Sequence, residues 1–572
     1  MQAKLRKPVA QQARATRLTL PFSVLLGLVS SVLLNLCFPI AGPMPAWRGT
    51  IAFFALVPLL VALLRESAAA HPRYLRNAAI TAFLCGLLWY VLNCGWIYPV
   101  TLTYGNVSPA ASAAILFAVS AVLGLYFALF GFALAWFRRR FGVIGAAGLA
   151  PFLWVATDLA AARISGMPWD QLGYSQVDSF LITHLAPLTG VYGITWALVL
   201  ANAVFAAAWM PRLRVPFGVR LGAPAAMLVL LLANELWPPP PPAPGTTTAV
   251  LLQDNLTVDQ SNQWLGEVPD PGTHRMVPLW DRNIAIYSSQ SRQSCTPFYV
   301  GMPQAGAMYV ASPQCPASEI GLIAWPEAPS PFRSGDPRFF FAMAGLAQET
   351  HAAVVAGNVA REPVTVHGRM EIGEFNAASV WAADGHLQGV YNQIHLLPFR
   401  GFFSRRSMGD FNRGSARLVF STGDGHRFGV FISYELILAD EVRRFARSGA
   451  EVLLNISDNE RYGDTSAPWQ QLNMARMRAI ENRRWLLRDT NSGVTAAIDP
   501  YGRVTQSAER HVFTSLAVRY GYVSRRTLYT IFGDVFAYLC VLVVLAVVLR
   551  VYLPLWKEYQ ARKKRTREPP LV

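Results

Sequence analysis

Four side chains in this sequence have the types and placements that nucleophilic and acid–base chemistry requires. Glu327 closes the run Ile320-Gly321-Leu322-Ile323-Ala324-Trp325-Pro326, a carboxylate beside a proline at the end of an apolar strand pattern. Ser433 follows Phe428-Gly429-Val430-Phe431-Ile432 and precedes a helical pattern, and Gln393 and His395 follow Gly389-Val390-Tyr391. A hydroxyl at a strand-to-helix turn stands above the sheet with main-chain N–H groups nearby for an oxyanion. A carboxylate or imidazole within reach would serve as its base. A lone Ser after a strand is far more often a helix cap, so the meaning of these residues rests on the elements around them.

Those elements alternate. Strand patterns run over 248–253, 320–325, 353–357, 428–432 and 452–456, with helical spacing over 338–350 and 441–448. Apolar, β-branched strands interleaved with helices indicate an α/β layered domain whose strand ends gather the polar groups. Pro238 to Pro242 form a stiff junction ahead of it. The segment 285–318, rich in Ser, Gln, Gly and Pro, is expected to be a surface insertion, or else a lid or docking loop.

The rest of the chain is of another kind. Hydrophobic residues make up 53% of the 572 and charged residues 15%, against about a quarter in globular proteins. Seven apolar stretches occupy 20–38, 49–64, 78–97, 109–137, 141–158, 179–209 and 221–237, and an eighth spans 531–553. A bilayer core takes about 20 apolar residues per helix, so eight transmembrane helices are expected. The formal charge of +16 is no nucleic-acid signature, because Lys and Arg collect in alternate loops: 4–17, 65–76, 138–140, 212–220 and 557–567. That alternation places both termini in the cytoplasm and the 238–530 segment outside it. Three units follow: a seven-helix membrane domain over 1–237, an exported domain over 238–530, and a last helix with a basic tail over 531–572. Cys37, Cys85, Cys94 and Cys540 lie in or beside spans as small apolar residues, while Cys295 and Cys315 are exported. An oxidising compartment would let the latter two pair, although spacing alone leaves free thiols equally open.

Taken together the segments resemble the nitrilase superfamily, and the whole chain resembles the bacterial apolipoprotein N-acyltransferase family. The likeness is carried by Pro151-Phe152-Leu153-Trp154, Gly166-Met167-Pro168-Trp169 and Gln171 to Gln176 in the membrane part. In the soluble part it is carried by Trp325-Pro326-Glu327, Leu396-Leu397-Pro398-Phe399, Tyr434-Glu435, Pro468 to Glu481 and Thr490-Asn491-Ser492-Gly493. The resemblance implies an αββα domain with a Glu–Lys–Cys triad in an inner membrane. It also implies a phospholipid acyl donor and a lipoprotein N-terminus as acceptor, with no cofactor. No metal-ligand cluster and no phosphate-binding Gly-rich loop stands against that.

The family's reacting groups are substituted here. Glu327 remains, but the Lys position is Gln393 and the Cys position is Ser433; Glu435 and Glu481 are kept. Gly401 replaces an expected acidic residue, and Ser457-Asp458-Asn459-Glu460-Arg461-Tyr462-Gly463 stands where the family reads Ser-Asn-Asp-Ala-Trp-Phe-Gly. An alcohol is a far weaker acid than a thiol, and Gln offers hydrogen bonds without charge. The expectation is therefore a protein that handles acyl lipid and lipoprotein N-termini without the standard turnover. Two alternatives stand beside it. One is an acyltransferase with Ser433 as nucleophile, Glu327 as base and Gln393 polarising the carbonyl. The other is an envelope assembly factor. His395, two residues after Gln393 and on the same side of an extended chain, is expected as a structural neighbour, with a Ser–His–Glu arrangement as its other role.

Overall fold

The computed structural model describes residues 19–565 apart from 106, 209, 211–216, 238–240, 242, 258–266, 270–274, 294–297, 303–304, 311–319, 328–331, 367–368 and 397–410. Cys295, Cys315, Arg400, Gly401, Arg405, Arg406 and most of the proline junction lie outside these.

Among the described residues, five helices are long and apolar enough to cross a membrane: Ala46–Leu64, Tyr74–Asn93, Pro109–Ser165, Val191–Ala208 and Val535–Pro554. Leu20–Leu36, Phe180–Thr189 and Leu221–Asn234 are apolar but shorter. The 109–165 stretch is a hairpin. Gly142 leaves helical geometry at φ 73° and ψ −173°, a conformation a side chain rarely tolerates. Phe127 and Phe130 then meet Trp154 with ring centroids 5.1 and 4.9 Å apart. In a straight helix the 27 residues between Phe127 and Trp154 would span roughly 40 Å. The fourth and fifth apolar stretches are thus separate, as their spacing indicates, and Arg138, Arg139 and Arg140 sit just before the reversal.

The sixth stretch departs from expectation. Gly190, at φ 68°, breaks it, leaving one long helix over Val191–Ala208 and short turns before it. A Cβ on Gly190 would lie 2.4 Å from Tyr529, so chain reversal and close packing both select glycine. Small residues also set the closest helix contact: a Cβ on Gly86 would strike Phe127, and one on Gly131 would strike Ala82. Such contacts are what helix association in lipid requires, where burial of apolar surface gives no driving force.

The α/β domain has two six-stranded sheets face to face. We number their strands β1 (Thr247–Gln253), β2 (Ile320–Trp325), β3 (Ala353–Val366), β4 (Arg369–Trp381), β5 (Leu387–Asn392), β6 (Val419–Ser421), β7 (Arg427–Ile432), β8 (Val452–Ser457), β9 (Trp485–Thr490), β10 (Ala496–Ile498), β11 (Val504–Ser507) and β12 (Thr514–Tyr520). The first sheet runs β12-β1-β2-β3-β4-β5 and the second β6-β7-β8-β9-β10-β11. Their centres are parallel, β1 with β2 and β3, and β7 with β8 and β9. Parallel strands buried on both faces read as continuous apolar runs, which is why these segments were legible.

Side-chain alternation builds the layers. Ala249 and Leu251 of β1 face the second sheet, while Val250 and Leu252 face helices Leu279–Gln293 and Pro337–Thr350. Helices Ala439–Arg447 and Ala467–Asn482 cover the other sheet, giving four layers. Each fully buried Leu, Val, Ile or Phe contributes about 1.5–3 kcal/mol. Helix Leu279–Gln293 corrects one expectation: its Tyr287 is buried with its ring centroid 5.5 Å from that of Trp325. The first part of the 285–318 segment is therefore core, not surface insertion; its apolar residues recur too sparsely for the period to show.

Candidate functional site

The carboxyl ends of β2, β7 and β8 and the end of β5 converge, and polar groups at such ends share one crevice. Glu327 follows β2 by two residues and is 5% exposed. Asn376 on β4 donates its amide to Glu327 Oε1 at 2.7 Å, and the main-chain N–H of Asp458, just beyond β8, donates to Oε2 at 2.7 Å. The Ser433 hydroxyl stands beside the same carboxylate and favours its ionised form. Burial first, then the negative charge of Asp458, push the Glu327 carboxyl up to about 7 against those hydrogen bonds. Near neutral pH it is therefore divided between acid and carboxylate, the condition a general base needs.

Ser433 begins a short 3-10 helix, Ser433–Ile437, directly after β7, with φ at 52°. A non-glycine residue held there stores about 1–3 kcal/mol of strain and is over-determined by its neighbours. Glu435 is that determinant. Its fully buried carboxylate accepts the main-chain N–H of Ile432 at 2.8 Å, Ile394 at 2.8 Å and His395 at 3.0 Å, and the Tyr391 hydroxyl at 2.8 Å. It thus ties the turn bearing Ser433 to the segment bearing Gln393. Burial pushes the Glu435 carboxyl up to about 7 against the pull of these donors.

Gln393 is 4% exposed and fully engaged. Its amide nitrogen donates to the carbonyls of His395 and Ile432, each at 3.1 Å, and its oxygen accepts from Asn376 at 2.9 Å. Both amide hydrogens are spent on main-chain oxygens, so Gln393 has none left for a substrate carbonyl. That removes the polarising role the serine alternative assigned to it.

His395 also goes elsewhere. Its Nε2 lies 2.9 Å from Glu441 Oε2, and Arg417 makes a two-pronged pair with the same carboxylate. Burial alone would raise Glu441; the His395 and Arg417 bonds hold it down at about 2. The base next to Ser433 is Glu327. Glu481 is likewise apart from the Glu327 group: it is buried in helix Ala467–Asn482, accepts the Val191 N–H at 3.0 Å and pairs with Arg478 at 3.1 Å.

Reading the sequence did not single out Asn376, which links Glu327 and Gln393, or Arg488. The Arg488 guanidinium, on β9, is fully buried and donates to Asn455, to Asn459 at 2.8 Å and to Gln471 at 2.9 Å, all neutral amides. Burial lowers it to about 10. The only signal for either was a polar residue at an inward position of a strand, invisible until register is known.

The membrane motifs meet this domain along helix Ala467–Asn482. Trp169 Nε1 donates to Gln470 Oε1 at 2.9 Å, and Gln470 donates onward to the Asn93 carbonyl at 3.0 Å. Arg478 donates to the Tyr174 hydroxyl at 2.8 Å, and the Tyr434 hydroxyl donates to the Gly166 carbonyl. Tyr434 is the residue after Ser433, so the membrane domain grips the turn itself.

Residues 30–204 match the model of the apolipoprotein N-acyltransferase N-terminal domain, and residues 300–516 match that of the carbon-nitrogen hydrolases. An apolipoprotein N-acyltransferase of Geobacter metallireducens is 30% identical over 545 residues, covering 90% of this chain and 93% of that protein. One of Pseudomonas syringae pv. tomato is 29% identical, covering 75% of this chain and 79% of its own. Among solved structures, Saccharomyces cerevisiae Nit3, a nitrilase-superfamily member, aligns at 14% identity and a TM-score of 0.33 over 50% of this chain and 93% of its own. A carbon-nitrogen hydrolase domain gripped by helices of the matching membrane domain, at this identity over nearly full length, settles the kinship: the chain belongs to the apolipoprotein N-acyltransferase family.

Proposed function

We propose that this protein binds phospholipid acyl chains and lipoprotein N-termini in the inner membrane but does not complete the acyl transfer its family is named for. The observation that carries this reading is the state of Gln393. A cation at that position would stabilise the oxyanion of a tetrahedral intermediate, whereas Gln393 is neutral and its donors are consumed by His395 and Ile432 carbonyls. Loss of one such donor costs about 2.7–4 kcal/mol at the transition state. Ser433 compounds the loss, because an alkoxide forms far less readily than a thiolate and an ester is a poorer donor to an amine. The binding scaffold, with its Trp169, Tyr174 and Tyr434 contacts, is retained.

In this reading eight helices span the bilayer with both termini cytoplasmic, seven of them in the 1–237 unit and the last in the 531–572 unit, and the 238–530 domain lies outside. The shorter apolar helices Leu20–Leu36 and Leu221–Asn234, with the two arms of the 109–165 hairpin, support that count. A second reading, a serine acyltransferase, is favoured by one observation, Ser433 held at a strained turn beside Glu327.

The test is incubation of purified protein with phospholipid and a diacylated lipopeptide, reading triacylated product by mass spectrometry. The parent is expected to yield none while retaining lipid, and Ser433→Cys with Gln393→Lys is expected to restore product. Product from the parent that disappears in Ser433→Ala would establish the serine enzyme instead.

A further inference from the structure

A cleft of about 970 Å³ includes none of Glu327, Gln393 or Ser433. One wall is the 39–46 segment that follows the first apolar helix, the floor is Trp469, Leu472 and Asn473 of helix Ala467–Asn482, and the other wall runs along 504–511. We propose that this cleft receives, in extended form, the polypeptide of a lipoprotein beyond its N-terminal cysteine; this rests on the binding function proposed above.

Three observations select a polypeptide. First, β11 ends its sheet, and its residues line the cleft. An edge strand presents main-chain N–H and C=O groups that an extended peptide can pair with. The edge is held in place from behind, since Gln506 Oε1 accepts the Arg519 N–H of β12 at 2.8 Å, and a preformed edge lowers the ordering cost of binding. Second, Asn473 is 6% exposed and its side-chain nitrogen has no acceptor among the described residues. A buried amide N–H left unpaired costs about 1–3 kcal/mol, which a peptide carbonyl brought against it would recover.

Third, the cations of the cleft are already engaged. Arg476 donates to the Gly502 carbonyl at 2.6 Å and pairs with Asp178. Arg510 donates to the Gly463 carbonyl at 2.8 Å and pairs with Asp464 at 3.2 Å. Each already carries a carboxylate partner that offsets its charge, which disfavours a phosphate, whereas an uncharged main chain over apolar Trp469 and Leu472 fits this lining.

The chain links the cleft to the site. Asp464 and Thr465, both on its lining, follow Tyr462, whose phenol lies in the field of Glu327 and whose ring meets Trp96 edge-on at 5.3 Å. Two or three residues of extended chain reach at most about 7–11 Å, so a substrate held by its first residue at Glu327 is proposed to lead its next few toward the cleft.

The experiment uses the full-length protein in lipid nanodiscs and two diacylated lipopeptides with the same lipid and N-terminal Cys, one with two further residues and one with twelve. Affinities are read by fluorescence anisotropy. The long lipopeptide is expected to bind about tenfold more tightly. A twelve-residue analogue methylated on its main-chain nitrogens is expected to fall back to the affinity of the short one. Asn473→Leu is expected to weaken the long one by roughly three- to tenfold, the worth of one hydrogen bond, and to leave the short one unchanged. Unchanged binding of the short lipopeptide also reports that the variant is folded. Equal affinity for short and long lipopeptides overturns the proposal, as does a gain insensitive to methylation but abolished by added phospholipid vesicles. Failure of the short lipopeptide to bind at all would sink the lipoprotein reading itself.

Discussion

Glu435 offers the sharpest test of how the site is held. In Glu435→Gln the new oxygen can keep the Ile394 and His395 N–H groups, which the carboxylate holds at 2.8 and 3.0 Å. The new NH2 group then faces the Ile432 N–H, donor against donor, where the carboxylate accepted it at 2.8 Å. An orphaned buried N–H costs about 1–3 kcal/mol, and two bonds reduced from charge-assisted to neutral lose about 1 kcal/mol each. The Tyr391 hydroxyl can turn to accept from the new amide and is counted as neutral. The sum is about 3–5 kcal/mol, or a fall of roughly 10 °C in Tm at about 2–4 °C per kcal/mol. Thermal unfolding of the detergent-solubilised protein at pH 8, where the carboxylate predominates, measures it. Tyr391→Phe is the control: it removes one hydroxyl, leaves the three main-chain N–H bonds intact and should cost about 1 kcal/mol. A Glu435→Gln loss no larger than that of Tyr391→Phe would refute the argument that the carboxylate anchors both turns.

Two other expectations concern pH. Asp458→Asn keeps the main-chain N–H on Glu327 and removes a like charge, so Glu327 should titrate below about 7; a neighbouring charge, discounted for the partly exposed Asp458, lowers it by roughly half to one pH unit. Infrared titration of the protonated carboxyl band, identified by its absence in Glu327→Gln, reads this; an unmoved midpoint would count against the assignment of Asp458. Because the Glu327 pKa is raised, the parent should also lose stability as pH rises from about 4.5 to 7, and Glu327→Gln should flatten that slope. Glu441 has the opposite sign: its carboxyl is depressed to about 2, so its contribution is present above pH 4.5 and disappears as pH falls through 2. Glu441→Gln should accordingly destabilise at pH 7 by about 1.5–3 kcal/mol and by much less near pH 2, checked by denaturant unfolding at the two pH values.

The strands that carry chemistry were legible because each is buried on both faces and so reads as an unbroken apolar run: 320–325 and 428–432 are strands within a residue of their sequence bounds. Local composition also marked the apolar helices and the polar residues at the strand ends. Periodicity could not see the break at Gly190, where a turn hides inside an apolar run, or the burial of Tyr287, whose core face is narrow.

The candidate site divides the same way. Residue type alone established that Gln393 cannot supply a charge and that Ser433 is not a thiol, since both are covalent facts. Which partner each side chain meets is a matter of register and packing between segments far apart in sequence. Only Ile394 separates Gln393 from His395, yet one turns inward to Asn376 and the other outward to Glu441. The chain bends after β5, where Glu435 captures consecutive N–H groups of 394 and 395, and alternation no longer decides the direction. Asn376, Asp458 and Arg488 entered the site only when the two sheets and helix Ala467–Asn482 were assembled, because a buried polar residue shows its purpose only through the partners that folding brings to it.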